Sequence, residues 1–209
     1  MIIEAIDYSD KYNLVILTIS GENFNISYDL YNDLQLNIDD ELDFDIYKEI
    51  LNDDEFNRAK NFALGKISYA QKTSFEIEKL LKDNDFSNEA IQKTIDFLNE
   101  YGILNDDLFV KSYVADKHNI ARWAKNKIRY SLKSKRISDE LIDTYIEKIN
   151  YDEEYENAYN FAFKKARDDF SIENKQKVYR YLAGKGFEFD IINKVVGELF
   201  KWLMVMYIF

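Results

Sequence analysis

The chain has 209 residues, 46% hydrophobic and 16% aromatic, which is enough apolar material for a folded core and excludes wholesale disorder. It has no cysteine and a single histidine, His118, which excludes disulfides, thiolate metal sites, cysteine nucleophiles and multi-histidine clusters. The net charge is −11, and the acidity belongs to one end: residues 1–57 hold 15 Asp/Glu against Lys11 and Lys48 alone, whereas the other 152 residues carry 24 acids and 26 bases. Residues 1–6 are short, acidic and unlike a secretory leader. No run approaches the ~20 apolar residues of a membrane span, so a cytoplasmic protein without a membrane partner is expected.

The first elements read as β. LVILTI at 14–19 is rich in β-branched residues, 20–23 (SGEN) is a turn, and Phe24, Ile26, Tyr28 and Leu30 alternate with mostly polar residues. Residues 1–6 supply a third strand. The acidic stretch 37–54 reads as a link, with a short helix around 46–51. From about Asp54 the period turns helical: Phe56, Ala59, Phe62, Ala63 and Ile67 share one face. Thr73 and Glu76 have capping-box spacing, Ser87 caps the next helix, and Gly102 sits just past its end.

This helical pattern recurs. FEIEKLLKDNDFSNEAIQKTIDFL from Phe75 is matched by KNKIRYSLKSKRISDELIDTYIEKI from Lys125 and KQKVYRYLAGKGFEFDIINKVVGEL from Lys175. Six apolar positions correspond in three copies, among them Leu81, Leu132 and Leu182, at offsets of 51 and 50 residues. The expectation is a mainly α protein of tandem three-helix bundles in an elongated array, with a small N-terminal β unit. Its parts are 1–53 (acidic, β-rich), 54–105, 106–152 and 153–209. The apolar run at 203–209 either packs back on the third bundle or marks an abnormal or truncated end.

Certain residues carry a resemblance. Leu98-x-x-Tyr101-Gly102-Ile103-Leu104-Asn105-Asp106-x-x-Phe109-Val110-x-x-Tyr113-Val114 resembles the signature of the RecX family, in which a glycine turn and an aspartate join two three-helix modules. Ala59-x-x-Phe62-Ala63-Leu64 resembles the start of the first module and KIRYSLKSKRI at 127–137 a segment of the second. Ala124 and Arg136 stand where the family often has glycine. The strand-rich N-terminus resembles the extension of members from low-GC Gram-positive bacteria. The resemblance implies a regulator that binds RecA filaments in their helical groove and inhibits ATPase, filament growth and strand exchange. It implies no catalysis and no cofactor. The partners expected are the RecA filament and single-stranded DNA within or beside it, met by a monomer. The alternative is a helical DNA-binding protein that acts without RecA.

The candidate surface for RecA or nucleic acid is Lys117, Arg122, Trp123, Lys125, Lys127, Arg129, Lys133, Lys135 and Arg136, a stretch with no acid inside it. Phosphates attract such clusters and aromatics stack on unpaired bases, as an acidic protein groove also attracts them; a plain solvated face is the bland alternative. Continued as one helix, the spacing puts Arg122, Lys125, Arg129 and Lys133 on one face. Trp123 reads as a core anchor or as a stacking platform, and Tyr130 lies beside it. Lys164, Lys165, Arg167, Lys175, Lys177, Arg180 and Lys185 form a lesser, acid-diluted group. His118 reads as an inert surface residue, Asp106 as a helix cap, and the pair Asp53 and Asp54 lacks the partners of a metal site.

Overall fold

A computed structural model of the chain describes residues 1–10, 13–167, 169 and 171–206, the last five as backbone only. The chain forms two compact units, Met1–Asn105 and Asp106–Phe209. In the first, β1 (Ile3–Ser9), β2 (Leu14–Ile19) and β3 (Glu22–Ser27) make an antiparallel meander in the order β1-β2-β3. Ser20 and Gly21 both have positive φ, as a tight two-residue hairpin loop requires. Val15, Leu17, Ile19, Phe24 and Ile26 are buried on one face, as period-two alternation demands. The alternation does not continue as strand to Leu30. It ends at Ser27, whose hydroxyl accepts from the Leu30 N–H at 3.2 Å and caps α1 (Tyr28–Leu34). Tyr28 and Leu30 still pack on the sheet core, because the first turn of a helix can present them to the same side.

The acidic stretch is not a link with a short helix. One 26-residue helix, α2 (Phe44–Tyr69), starts there, capped by Asp43, which accepts from the Ile46 N–H at 2.8 Å. It runs through the expected boundary at 53/54 and serves both the sheet and the first bundle. β3 is an edge strand, and its outer backbone groups find partners on α2. Asp54 accepts from the Asn25 N–H at 2.8 Å, Asp53 from the Ser27 N–H at 2.6 Å, and the Asn57 carboxamide donates to the Asn25 carbonyl at 3.0 Å. Asp54 and Asn57 are buried. Three polar side chains thus close an edge that would otherwise offer a template for strand pairing.

The first bundle adds α3 (Ser74–Lys82) and α4 (Asn88–Glu100) to α2, around Ala59, Ala63, Ile77, Leu81, Ile91 and Leu98. The Thr73–Glu76 capping box is present, and Glu55 of α2 accepts from both the N–H (2.8 Å) and the hydroxyl (2.6 Å) of Ser87 at the start of α4. The second unit holds α5 (Asp106–Ala115), α6 (Lys125–Ser134) and α7 (Asp139–Ile146) around Val110, Ile128, Leu132 and Ile142. It also holds α8 (Tyr151–Ala166), α9 (Ile172–Gly184) and α10 (Phe189–Met206) around Ala158, Ala162, Val178, Leu182 and Ile192. Asp106, read as a cap, is the first residue of α5. The expected docking of 203–209 falls outside the described side chains. Among the described residues no helix is long and apolar enough to cross a membrane.

One turn is repeated. Asp85, Arg136 and Gly186 all take positive φ (62°, 60° and 90°) after the middle helix of their bundle. Each is followed by a residue whose N–H reaches back to a core leucine: Phe86 to Leu81, Ile137 to Leu132, Phe187 to Leu182, each at 3.3 Å. Gly102 (φ 65°) repeats the arrangement after α4, with Ile103 donating to Leu98 at 2.8 Å. This is the Schellman ending, in which a left-handed residue lets the chain reverse and satisfies the last carbonyls. Arg136 holds this conformation without being glycine.

Two outcomes are expected. Asp54→Ala leaves the Asn25 N–H of the edge strand without its acceptor, lowers the stability of the first unit by about 1–3 kcal/mol in urea unfolding, and speeds exchange at the Asn25 amide. Arg136→Gly removes the strain of a side chain in the left-handed region, partly offset by the flexible glycine of the unfolded chain, and raises stability by about 0.5–1 kcal/mol. A less stable variant would show that contacts of the Arg136 side chain outweigh the backbone strain.

Candidate functional site

α5 does not pass smoothly into α6. At Asp116–Ile120 the backbone widens into a π-helical turn, and the Trp123 N–H reaches back to the Lys117 carbonyl at 2.8 Å. Such single-turn expansions displace side chains from the regular helical rows. Arg122 follows the turn in the left-handed conformation (φ 55°), so it does not lie on the helix with Lys125, Arg129 and Lys133. Ala124 is fully buried in ordinary extended backbone (φ −70°, ψ 153°) and needs no glycine.

Ala124 has no side chain to cap α6. Glu154 of α8 does this instead: its Oε1 accepts from the Lys125 N–H at 2.9 Å, and Oε2 lies 3.5 Å from the Lys125 ammonium. Glu154 is 1% exposed. Burial pushes its carboxyl above the usual range, opposed by Lys125.

The two flanks of α6 differ. On one, spaced by four residues, every cation has an acid: Lys125 meets Glu154, Arg129 pairs with Asp143, and Lys133 with Asp139 at 2.7 Å. These acids come from α7 and α8, so the acid-free run in sequence is not acid-free in space. The other flank carries Lys127, and Tyr130, three residues from both Lys127 and Lys133, stands between the flanks with 78% of its surface exposed.

Lys127 lies with its ammonium 3.8 Å from the centre of the Trp123 ring, and the Lys117 ammonium is 5.0 Å from the same ring and 5.1 Å from that of Tyr113. Lys185, in the α9–α10 turn, approaches from the third bundle, its ammonium 5.0 Å from Phe161 and 5.3 Å from Tyr181. Gly186 makes that approach close, since a Cβ there would stand 3.0 Å from the Lys127 backbone nitrogen. Burial lowers the Lys127 ammonium below the ordinary lysine range, and the charges of Lys185 and Lys117 add to this. All three lysines are partly buried. Among the described residues none of them has a carboxylate within ion-pair distance. The sequence-derived set thus divides. Lys117, Trp123 and Lys127 come together; Lys125, Arg129 and Lys133 are paired on the opposite flank; Lys135, its ammonium 5.5 Å from Phe109, and Arg136 lie at the end of α6. Lys185 and Tyr130 were not in that set. The Gly184-Lys185-Gly186 turn was visible as a repeat position, but nothing in the sequence links it to Trp123.

His118 is buried, not a surface residue, at 4% exposure. Its Nδ1 lies 3.4 Å from the Trp123 carbonyl and its Nε2 3.6 Å from Glu153. It backs a recess of about 200 Å³ lined with Asn119, Arg122, Glu156, Asn157 and Asn160.

Three family models match the chain: the first, second and third three-helix domains of RecX, at residues 59–98, 105–146 and 152–196. The chain belongs to the RecX family. Curated RecX relatives agree: "Regulatory protein RecX" of Clostridium perfringens (strain 13 / Type A) is 32% identical over 165 residues, 76% of each chain. The same-named protein of Clostridium botulinum (strain Alaska E43 / Type E3) is 34% identical over 182 residues, 84% of each. A crystal structure of regulatory protein RecX shares the fold with a TM-score of 0.78 at 23% identity, covering 94% of this chain and 98% of that one. RecX from Lactobacillus salivarius matches 70% of this chain at TM-score 0.65 and 27% identity.

The pH dependence of Glu154 follows from its raised pKa. In the folded state the group binds its proton more tightly than when unfolded, so its contribution to stability is full below the unfolded carboxylate pKa and is lost as pH rises through the folded one. Glu154→Gln keeps an acceptor for Lys125 and does not titrate. Its stability relative to the parent chain is therefore expected to rise as pH increases from 4 to 7, measured by urea unfolding at fixed ionic strength. A difference independent of pH would contradict the assignment.

Proposed function

We propose that this chain binds RecA filaments on single-stranded DNA and restrains them, slowing ATP hydrolysis, filament growth and strand exchange. It would act in the cytoplasm as a monomer, by binding and not by catalysis. The observation that carries the reading is the set of three consecutive RecX domains, supported by relatives named as regulatory proteins. The RecA partner comes from the family resemblance. A chain of similar modules suits a repeating target, because several modest contacts on one scaffold add as avidity. Of the sequence-derived set, the contact surface proposed is the part around Lys117, Trp123 and Lys127, since the two lysine charges are not already spent on carboxylates of the described residues, whereas Lys125, Arg129 and Lys133 are paired.

The test is RecA-dependent ATP hydrolysis on single-stranded DNA with the protein added below the RecA concentration. The expected outcome is inhibition at substoichiometric ratios together with cosedimentation with the filament. Unchanged hydrolysis and no cosedimentation would remove the reading.

A further inference from the structure

We propose that Lys117, Lys127 and Lys185 form a clamp for the phosphodiester backbone of a single-stranded nucleic acid, with the exposed ring of Tyr130 as the platform for one of its bases. The inference deepens the reading above, and rests on it in taking filaments on single-stranded DNA as the setting.

Four observations converge on it. First, the three lysines come from separate segments, the π-helical turn, the first turn of α6 and the α9–α10 turn, so their proximity is a product of folding and not of a local lysine run. Second, among the described residues none of the three ammoniums has a carboxylate within ion-pair distance. Like ammoniums repel, and here they are held by ring faces, Trp123 for Lys117 and Lys127, Phe161 and Tyr181 for Lys185. A bridging anion would relieve that repulsion, which adds to burial in lowering the Lys127 ammonium below the ordinary lysine range. Third, a side chain at Gly186 is disfavoured by its φ of 90° and would put a Cβ 3.0 Å from the Lys127 backbone nitrogen, a close approach that brings Lys185 beside its neighbours. Fourth, Trp123 is already covered by lysines and cannot be the stacking surface, whereas Tyr130 stands 78% exposed one turn beyond Lys127.

Tyr130 decides the class of ligand. An acidic protein segment would satisfy the ammoniums and leave the ring unused, and a duplex hides its base faces. A single strand offers phosphates and unstacked bases together, the combination that cationic grooves with aromatic platforms recognise.

The experiment is fluorescence anisotropy of a labelled oligothymidylate with the full chain, without RecA, over a range of salt. The parent chain is expected to bind with a salt-dependent affinity. The triple variant Lys117→Met, Lys127→Met, Lys185→Met is expected to bind at least about tenfold more weakly at low salt, with a log–log salt slope shallower by about 2, since each phosphate contact on a single strand contributes about 0.7. Tyr130→Ala is expected to lose about tenfold in affinity with its slope unchanged. Lys133→Met, on the paired flank, should behave like the parent chain, and circular dichroism melts establish that each variant is folded. A parent chain that ignores the oligonucleotide, or a folded triple variant with the parent affinity and slope, would overturn the proposal. So would a triple variant that binds the oligonucleotide normally but no longer cosediments with RecA filaments, which would assign the clamp to an acidic protein groove. Inhibition of RecA without oligonucleotide binding sinks only this inference; oligonucleotide binding of the expected pattern without any effect on RecA sinks only the filament reading.

Discussion

The arrangement of the second unit depends on where α6 begins, and that is set by one buried carboxylate. With alanine at the capping position, the first amide of the helix needs an acceptor from elsewhere, and Glu154 supplies it across the boundary between the second and third bundles. A carboxylate taken out of water is expensive unless it is hydrogen-bonded and paired; here the Lys125 N–H and ammonium meet both needs. The contact fixes the start of α6 and its seating against α8. From these follow the two flanks of the helix, one neutralised by Glu154, Asp143 and Asp139, the other presenting Lys127 to Lys117, Trp123 and Lys185.

The same economy of polar groups governs the first unit. A three-stranded sheet is marginal alone, and its exposed edge is a hazard. α2 answers both needs, packing Ile50 into the sheet core while Asp53, Asp54 and Asn57 take up the backbone of β3. Part of the acidity at this end of the chain therefore has structural work: Asp43 caps α2, Asp53 and Asp54 hold the sheet, and Glu55 holds the start of α4.

Much of this was legible in the sequence, for identifiable reasons. The repeat at 50–51 residues was visible because each bundle buries the same leucine and isoleucine positions. The Thr73 capping box and the Ser87 cap were visible because capping is local. What failed to show was non-local. The helix from Phe44 was obscured because Asn52, Asp53 and Asp54 interrupt its apolar pattern like a link, the two aspartates having their partners in strand amides about thirty residues away. The strand ending at Ser27 was hidden because Tyr28 and Leu30 satisfy both a two-residue period and a helical turn. At the site, sequence spacing identified a basic stretch but not its division: a π-helical turn removes Arg122 from the helical row, acids from α7 and α8 neutralise three of the cations, and Lys185 arrives from more than fifty residues on. His118 looked inert by its solitude and is instead buried between the two bundles of the second unit.

The central claim is that the unpaired flank of α6, and not its paired flank, meets the filament. Reductive methylation of lysines, read by mass spectrometry on the full chain alone and bound to RecA filaments on single-stranded DNA, measures this most directly. The account predicts that Lys117, Lys127 and Lys185 lose reactivity on binding while Lys133 keeps its own. Unchanged labelling of those three, with protection confined to Lys133 or to the lysines of α8 and α9, would contradict it.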